Sequence, residues 1–461
     1  MNARGLPVLA AAACTLLSAC ALNTPLPDLH ADLPAQWHNA PADAAKLGPA
    51  PDLDSWWRAF NDPQLETLIQ RALQQNLGLQ QATLRLRGAR ALQHRSGTQF
   101  MPQLSFHTFS EPDPAATTSY YEIGFDAQWE LGFFGRGLGH ARVAAADLQA
   151  AETSVTAARV SLIAEVARNY VDLRAAQARQ ALLERIVHLR AQALELTTVR
   201  VRLHLAAQYD LDKLAGELAQ ARADAAEPAA SIAQAQQALD VLLAQPQPDS
   251  ILAAAGPQPA LTDVRFAQAP ADLLRTRPEI RQAELDVLRA AGELGIARAD
   301  LWPKLGLGGT LISSTRMVGD VDRPNKAIPS AGPIIDIPLF DWGARHDMVR
   351  ARDAGLQAAV LAYRQAVLEG VAEAESALAQ WQRDRARADG ALAQLGLADN
   401  AQIRTQTLER IGLADKADRA RAGIAQAQAR LQASVAQRDA ALAFIAVYKS
   451  LGGTLPPLAM Q

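Results

Sequence analysis

The sequence is short of the residues from which catalytic and metal sites are usually built. Its 461 residues include two cysteines and eight histidines. The histidines are scattered, with no His-Glu-x-x-His pair and no cysteine partner, so no metal-ligand spacing is present. Five methionines, one of them the initiator, form no ladder of soft ligands. There is no Gly-x-Ser-x-Gly. The glycine-rich stretch Gly132 to Gly139 precedes a helix but lacks the Lys-Ser/Thr of a phosphate loop, and reads as a flexible turn. No enzyme activity and no cofactor are therefore expected. A net charge of −3 gives no electrostatic footprint for nucleic acid. No run after the N-terminal segment reaches 18 apolar residues, so no membrane-spanning helix is expected, and any crossing of a bilayer must use strands.

Aromatics make up only 5% of the chain, and long segments are rich in Ala, Leu, Gln and Arg, which is the usage of long helices. Between His140 and Ala215 neither glycine nor proline occurs. Leu148, Val155 and Leu162 recur every seven residues, as do Leu182, Leu189, Leu196 and Leu203 after a phase shift. That spacing predicts a helix from about Ala141 to Leu203, packed in coiled-coil fashion. At about 1.5 Å per residue it would be on the order of 95 Å long, too tall for one globular core.

The pattern occurs twice. Leu148-Gln149-Ala150-Ala151 returns as Leu356-Gln357-Ala358-Ala359, and the same offset of 208 pairs Gly135 with Gly343, Glu165 with Glu373, and Asp210 with Asp418. Upstream, Gln81-Ala82 matches Gln282-Ala283, and Met101-Pro102 matches Trp302-Pro303, at an offset of 201. A duplicated unit of helix, two strands, long helix and helix fills most of the chain.

The boundaries follow from composition. Residues 1–19 read as a lipoprotein signal peptide, because Leu17-Ser18-Ala19-Cys20 resembles a lipobox; Cys20 would then carry lipid and be the only cysteine left, since Cys14 leaves with the signal. Residues 20–62 form a proline-rich arm, 63–245 the first repeat, 246–277 a proline-punctuated equatorial linker, 278–451 the second repeat and 452–461 a tail. In the first repeat, Asp62 caps a helix with Pro63 at its first position, predicted to run to about Phe100. Strands are expected at about 103–131, from Gln103 to Ser110 and from Tyr120 to Leu131, then a hairpin at about 141–243, with its second helix continuous from Asp210. In the second, strands at about 305–340, the last from Pro333 to Phe340, precede a hairpin at about 345–450. Pro338 places that last strand at a sheet edge or barrel rim.

The Tyr120–Leu131 strand alternates without a fault. Tyr121, Ile123, Phe125, Ala127 and Trp129 point one way; Glu122, Asp126 and Glu130 point the other. One greasy and one wet face suits a membrane strand whose Tyr121, Ile123, Phe125 and Trp129 meet lipid, though a half-buried strand of a soluble sheet shows the same pattern. Four strands per chain cannot close a barrel; two chains would give eight strands around a narrower tube, and three would give twelve and remove every edge, the arrangement toward which geometry leans.

Several stretches resemble the TolC-like outer-membrane efflux channels, in their lipoprotein (NodT-type) branch. They are Trp56-Trp57 with Phe60 and Asp62-Pro63, then Trp129 to Arg136, Asp272 to Ile280, Pro338-Leu339-Phe340-Asp341, and Leu451-Gly452-Gly453. The resemblance implies a mostly α-helical homotrimer whose twelve-stranded outer-membrane β-barrel continues as a periplasmic α-helical tunnel. It implies no cofactor, and partners in a periplasmic adaptor and an inner-membrane RND-type pump. The duct would pass drugs or other small molecules to the exterior. A duct of a type I protein-secretion system is the nearest alternative; a lipid-anchored periplasmic adaptor, another class, should have one hairpin rather than two. Two departures stand out: Gly132 replaces a common acid, and Ala417 with Arg421-Ala422-Gly423 replaces the usual gate-lining set at the second tip.

At the helix reversals, Asp210 and Asp212 lie on one tip and Asp415, Lys416, Asp418 and Arg421 on the other. Two roles are open for the acids: capping the next helix, or forming a constricting ring at a periplasmic aperture. The sequence places Asp418 and Arg421 within pairing reach, with Asp210 and Asp212 competing for Arg421 or Lys416.

Overall fold

The computed structural model describes residues 25–29, 37–39, 55–111, 120–247, 249–261, 277–316 and 327–452. The signal segment, Cys20, most of the 20–62 arm, residues 262–276 of the linker and residues 453–461 of the tail lie outside these. A short 3-10 turn, Trp56–Phe60, leads into α1 (Pro63–Gln75) and α2 (Leu77–Thr98). Strands β1 (Gln103–Glu111) and β2 (Tyr120–Glu130) precede α3 (Arg136–Arg202), α4 (Gln208–Ala226), α5 (Pro228–Leu242) and the one-turn α6 (Ser250–Ala253). The second half runs α7 (Pro278–Ala299), β3 (Lys304–Arg316), β4 (Ala327–Asp336), α8 (Ala344–Arg410) and α9 (Lys416–Ser450). Both long helices are 67 residues. Among the described residues no helix is long and apolar enough to cross a membrane.

Where the sequence predicted one helix from Pro63 to Phe100, there are two. Asn76 breaks it with extended backbone (ψ 124°), donating its N–H to Ala72 O, while its Oδ1 accepts the Leu79 N–H and starts α2. The helix expected from Asp210 to Leu243 is likewise interrupted before Pro228, which has no N–H to donate. Glu227 keeps helical angles, so the ladder is broken but the chain direction is not. The fourth strand ends at Asp336, before Pro338, and starts at Ala327 rather than Pro333. Its prolines, Pro329 and Pro333, lie on the strand whose outer side is left unpaired within the chain.

The described residues divide into two compact units, one holding residues 25–29, 83–111, 120–154, 281–316 and 327–366, the other 37–39, 55–82, 155–247, 249–261, 277–280 and 367–452. In the first, a four-stranded antiparallel sheet runs in the order β1-β2-β3-β4. Phe106, Phe125, Leu311 and Pro329 stand opposite one another across it, so one row crosses all four strands. Below the sheet α3 and α7 approach through glycine. A Cβ on Gly139 would lie 2.8 Å from Ile296 Cγ1 and 3.0 Å from Gly292 O, so no larger residue fits that crossing.

The second unit buries Leu65, Ile69, Val166, Tyr170, Val171, Leu173, Leu239, Leu243, Phe444 and Val447. Trp56 stacks on Tyr448 at 5.4 Å, and Phe60 meets Phe444 edge-on at 5.6 Å, which explains the Trp56-Trp57-x-x-Phe60 stretch. Asp62 caps α1 as expected, accepting the Gln64 and Leu65 N–H groups. Of the predicted seam, Val155 and Leu162 are buried, but Leu148, Leu182, Leu189 and Leu196 are half-buried and Leu203 is exposed. The buried residues there are Leu183 and Ile186, which pack with Ala221 of α4 and Ala427 of α9. Two neighbours flank α3 at that level, so the contact face is rotated from the single-neighbour heptad seam.

Candidate membrane sheet and helix-tip site

The two faces of the sheet differ as the alternation of β2 requires. Tyr121, Ile123, Phe125 and Trp129 are exposed, at 38–45%, whereas Glu122, Asp126 and Glu130 on the opposite face are half-buried. The side chains of Asp126 and Glu130 are open to a similar degree, at 39% and 41%, so neither face of the sheet is covered, whereas a soluble sheet would bury its apolar row against a core. The row continues onto β1 and β3 through Leu104, Phe106, Leu307 and Leu311, all exposed. Across the polar face, Asp126 stands between Ser105 and Thr310, Thr310 Oγ1 meets Ser330 Oγ at 2.6 Å, and His107 Nδ1 lies 2.8 Å from Asp126 Oδ2. Trp129, at the strand's end, donates its indole N–H to Phe100 O at 2.8 Å.

The turns from sheet to long helix are built alike. Phe134-Gly135 and Trp342-Gly343 are both left-handed, with φ of 60° and 85° in the first and 58° and 86° in the second. The chain is closed there by Arg136 N–H to Phe133 O and by Ala344 N–H to Asp341 O. Arg136 then pairs with Glu130 (3.0 Å) and Asp300, tying the strand end to α7.

At the helix tips the two reversals are not equivalent. In the second, Asp415 is the N-cap of α9 in a full capping box: its Oδ1 accepts the Asp418 N–H at 2.7 Å, and the Asp418 carboxylate accepts the Asp415 N–H. Asp418 also takes Arg421 at 2.5 Å, within its own helix. The backbone N–H of Asp415, and after it Arg421, hold the Asp418 carboxyl below the usual carboxylate range. In the first, the N-cap is Ala207, which offers no side-chain acceptor, and Asp210 sits in the first turn; Asp212 accepts Gln208 Nε2 at 2.9 Å.

The pair that joins the tips was not foreseen from the sequence. Arg200 NH1 lies 3.1 Å from Asp415 Oδ2, whereas Asp210 and Asp212 were expected to reach Arg421 or Lys416. Arg200 stands in the last turn of α3, where a cation suits the helix dipole, and that position is the signal that could have found it. Arg419 and Glu409 (3.3 Å), also overlooked, close the second tip on itself. Around these charges Leu203, Leu205 and Tyr209 on one tip, and Ile411 and Leu413 on the other, are exposed. Among the described residues no group of three His, Cys, Asp or Glu is placed to hold a metal ion.

The sequence pattern of the outer membrane efflux protein family matches residues 68–245 and 269–453. Nodulation protein T of Rhizobium leguminosarum bv. viciae is 28% identical over 80% of this chain and 77% of its own length. The pyoverdine export outer membrane protein OpmQ of Pseudomonas aeruginosa is 28% identical over 79% of each chain. Among solved structures, the outer-membrane channel OprN superposes with a TM-score of 0.79 at 27% identity, covering 94% of this chain and 99% of its own. The chain belongs to the outer membrane efflux protein family.

Proposed function

We propose that this protein is the passive exit duct of a tripartite efflux pump, set in the outer membrane and reaching into the periplasm. The observation that carries the reading is the apolar row that no core covers, with Leu104, Phe106, Tyr121, Ile123, Phe125, Leu307 and Leu311 exposed across three strands, while none of the described helices is long and apolar enough to cross a membrane. Four strands leave two open edges, which hydrocarbon does not tolerate. Three copies supply twelve strands and a closed ring, so the working form is a homotrimer. A lipid on Cys20 adds a second attachment to the outer membrane. The exposed leucines and tyrosine of the tips offer a docking surface to a periplasmic adaptor, which in turn links the duct to an inner-membrane RND-type pump. The chain needs no cofactor and performs no chemistry; the pump supplies both energy and substrate choice.

Charge placed on the two faces of β2 tests this. At mid-bilayer, Phe125→Lys should cost about 2–4 kcal/mol, seen as loss of heat-resistant trimer from outer-membrane fractions. Asp126→Asn should leave the trimer intact. Equal tolerance at both positions would show that Phe125 does not face lipid. Purified wild-type protein should also give discrete conductance steps in planar bilayers.

A further inference from the structure

The duplication leaves one contact made and its twin unmade. Phe134, left-handed at the turn into α3, stacks its ring on Trp302 at 5.5 Å and 16° between planes. Trp302 closes the turn between α7 and β3, donating its backbone N–H to Ala299 O. At the offsets that relate the two halves, the twin of Phe134 is Trp342 and the twin of Trp302 is Met101. Met101 holds the same turn between α2 and β1, donating its N–H to Thr98 O. Both members of the second pair lack their counterpart within the chain. Trp342 touches Phe340 edge-on at 4.7 Å and is otherwise 89% exposed, and Met101 is 59% exposed.

We infer that Trp342 of one protomer seats against Met101 of the next. The first contact joins the end of β2 to the start of β3, which are neighbours in the sheet. Its twin must join the end of β4 to the start of β1, and these are the two open edges. In a closed ring β4 of one chain lies beside β1 of its neighbour, which brings Trp342 and Met101 together with the same connectivity. The backbone supports this occupant. A bulky residue at positive φ is rare and needs its surroundings to hold it; Phe134 has Trp302 for that purpose, and Trp342, at φ 58°, has an equally specified turn with its ring left open. A thioether against an indole is a favourable contact, and methionine adapts to the larger ring that tryptophan presents. The inference rests on the closed-trimer reading given above.

Cysteine pairs in the full-length chain test it, with dibromobimane as the bridging reagent. Phe134→Cys with Trp302→Cys should bridge within one chain, with no change in mass on denaturing gels. Met101→Cys with Trp342→Cys should bridge between chains and give covalent dimers and trimers, and neither single variant should. If native mass shows the trimer and the first pair bridges but the second does not, the seat is wrong while the trimer stands. If no trimer forms in the wild type, the underlying reading has failed instead. Should the second pair not assemble, Met101→Ala, Trp342→Ala and their combination decide by trimer dissociation temperature. Equal drops in all three mark one shared contact, whereas additive drops overturn it. In a Trp129→Phe background, quenching by brominated phospholipid that is lost in Trp342→Ala, without interchain bridging, would place the ring in lipid and also overturn it.

Discussion

Arg277 and Gly452 press against each other backbone to backbone. A Cβ added at Gly452 would lie 2.9 Å from both Cα and Cγ of Arg277, and Gly452 is itself left-handed at φ 84°. Arg277 is 5% exposed; its guanidinium donates to Gly370 O at 3.2 Å and to the Glu373 carboxylate, with Glu279 at 3.5 Å. The start of α7, the middle of α8 and the end of α9 thus meet at one arginine, which accounts for two of the short stretches noted in the sequence. Gly452→Ala meets both the left-handed strain, about 1–2 kcal/mol, and a contact with main chain that cannot move aside. Thermal unfolding followed by circular dichroism should drop by several degrees. An unchanged midpoint would mean the tail swings clear of Arg277.

Much of the architecture is legible because it rests on period and punctuation. The bulk of the 67-residue α3 follows from a stretch without glycine or proline, although the helix begins at Arg136 and takes in Gly137 and Gly139, which the sequence reads as a turn; β2 follows from its alternation. The misses share one cause, which is local chemistry whose effect depends on a neighbour. Asn76 ends one helix and begins another because its side chain also reaches Leu242 O at 2.9 Å. The seam on α3 turns toward Leu183 because two helices flank it there. Of the tip residues, Asp415 and Asp418 could be read as caps from spacing alone. The Arg200 bridge could not, since residues 215 apart in sequence meet only once both hairpins are folded.

The unequal tips give a direct stability test. Ala207 and Asp415 occupy the same place, 208 residues apart, and Asp210 and Asp418 both stand three residues further on. Only the second tip has a capping side chain. The backbone of Ala207 is already extended (φ −81°, ψ 152°), as an N-cap requires. Ala207→Asp should therefore complete a capping box with Asp210 and add about 0.5–2 kcal/mol. Hydrogen exchange at the start of α4 should slow. If it does not, Asp210 is held elsewhere.

Tyr170 contributes stability that fades at alkaline pH. Burial, followed by its hydrogen bond to Asp62 (2.9 Å), pushes its hydroxyl up to about 12 from 10.0. An acid whose folded value is raised keeps its proton in the folded state while the unfolded chain loses it. The contribution of Tyr170 is complete below pH 10 and fades as pH rises from there through about 12. Tyr170→Phe should cost about 1 kcal/mol at neutral pH and flatten that alkaline slope. An identical slope in the variant would assign the alkaline loss to other groups.

The charges at the tips are expected to act as a weak latch, and the structure indicates which of them matter. Asp418 and Arg421 pair within α9, so they stiffen one helix and join nothing else. Arg200 and Asp415 belong to different hairpins, and both are about half exposed. Such a pair is worth roughly 0–1 kcal/mol, so three copies give a few kcal/mol at most, within reach of an adaptor's docking energy. Asp415 both caps and bridges, and Asp415→Ser separates the roles: serine keeps a capping oxygen but carries no charge for Arg200. Arg200→Ala and Asp415→Ser should raise single-channel conductance in planar bilayers, as should high salt on the wild type. Arg421→Ala should change it little. Mild acid should leave the capping box at the start of α9 in place. The Asp418 carboxyl is held low, so its contribution is present above the ordinary carboxylate value and is lost only as pH falls through the lowered one. Conductance that stays low in Arg200→Ala and in high salt, with the trimer intact, would assign closure to the exposed apolar tips, Leu203, Leu205, Ile411 and Leu413, rather than to charge.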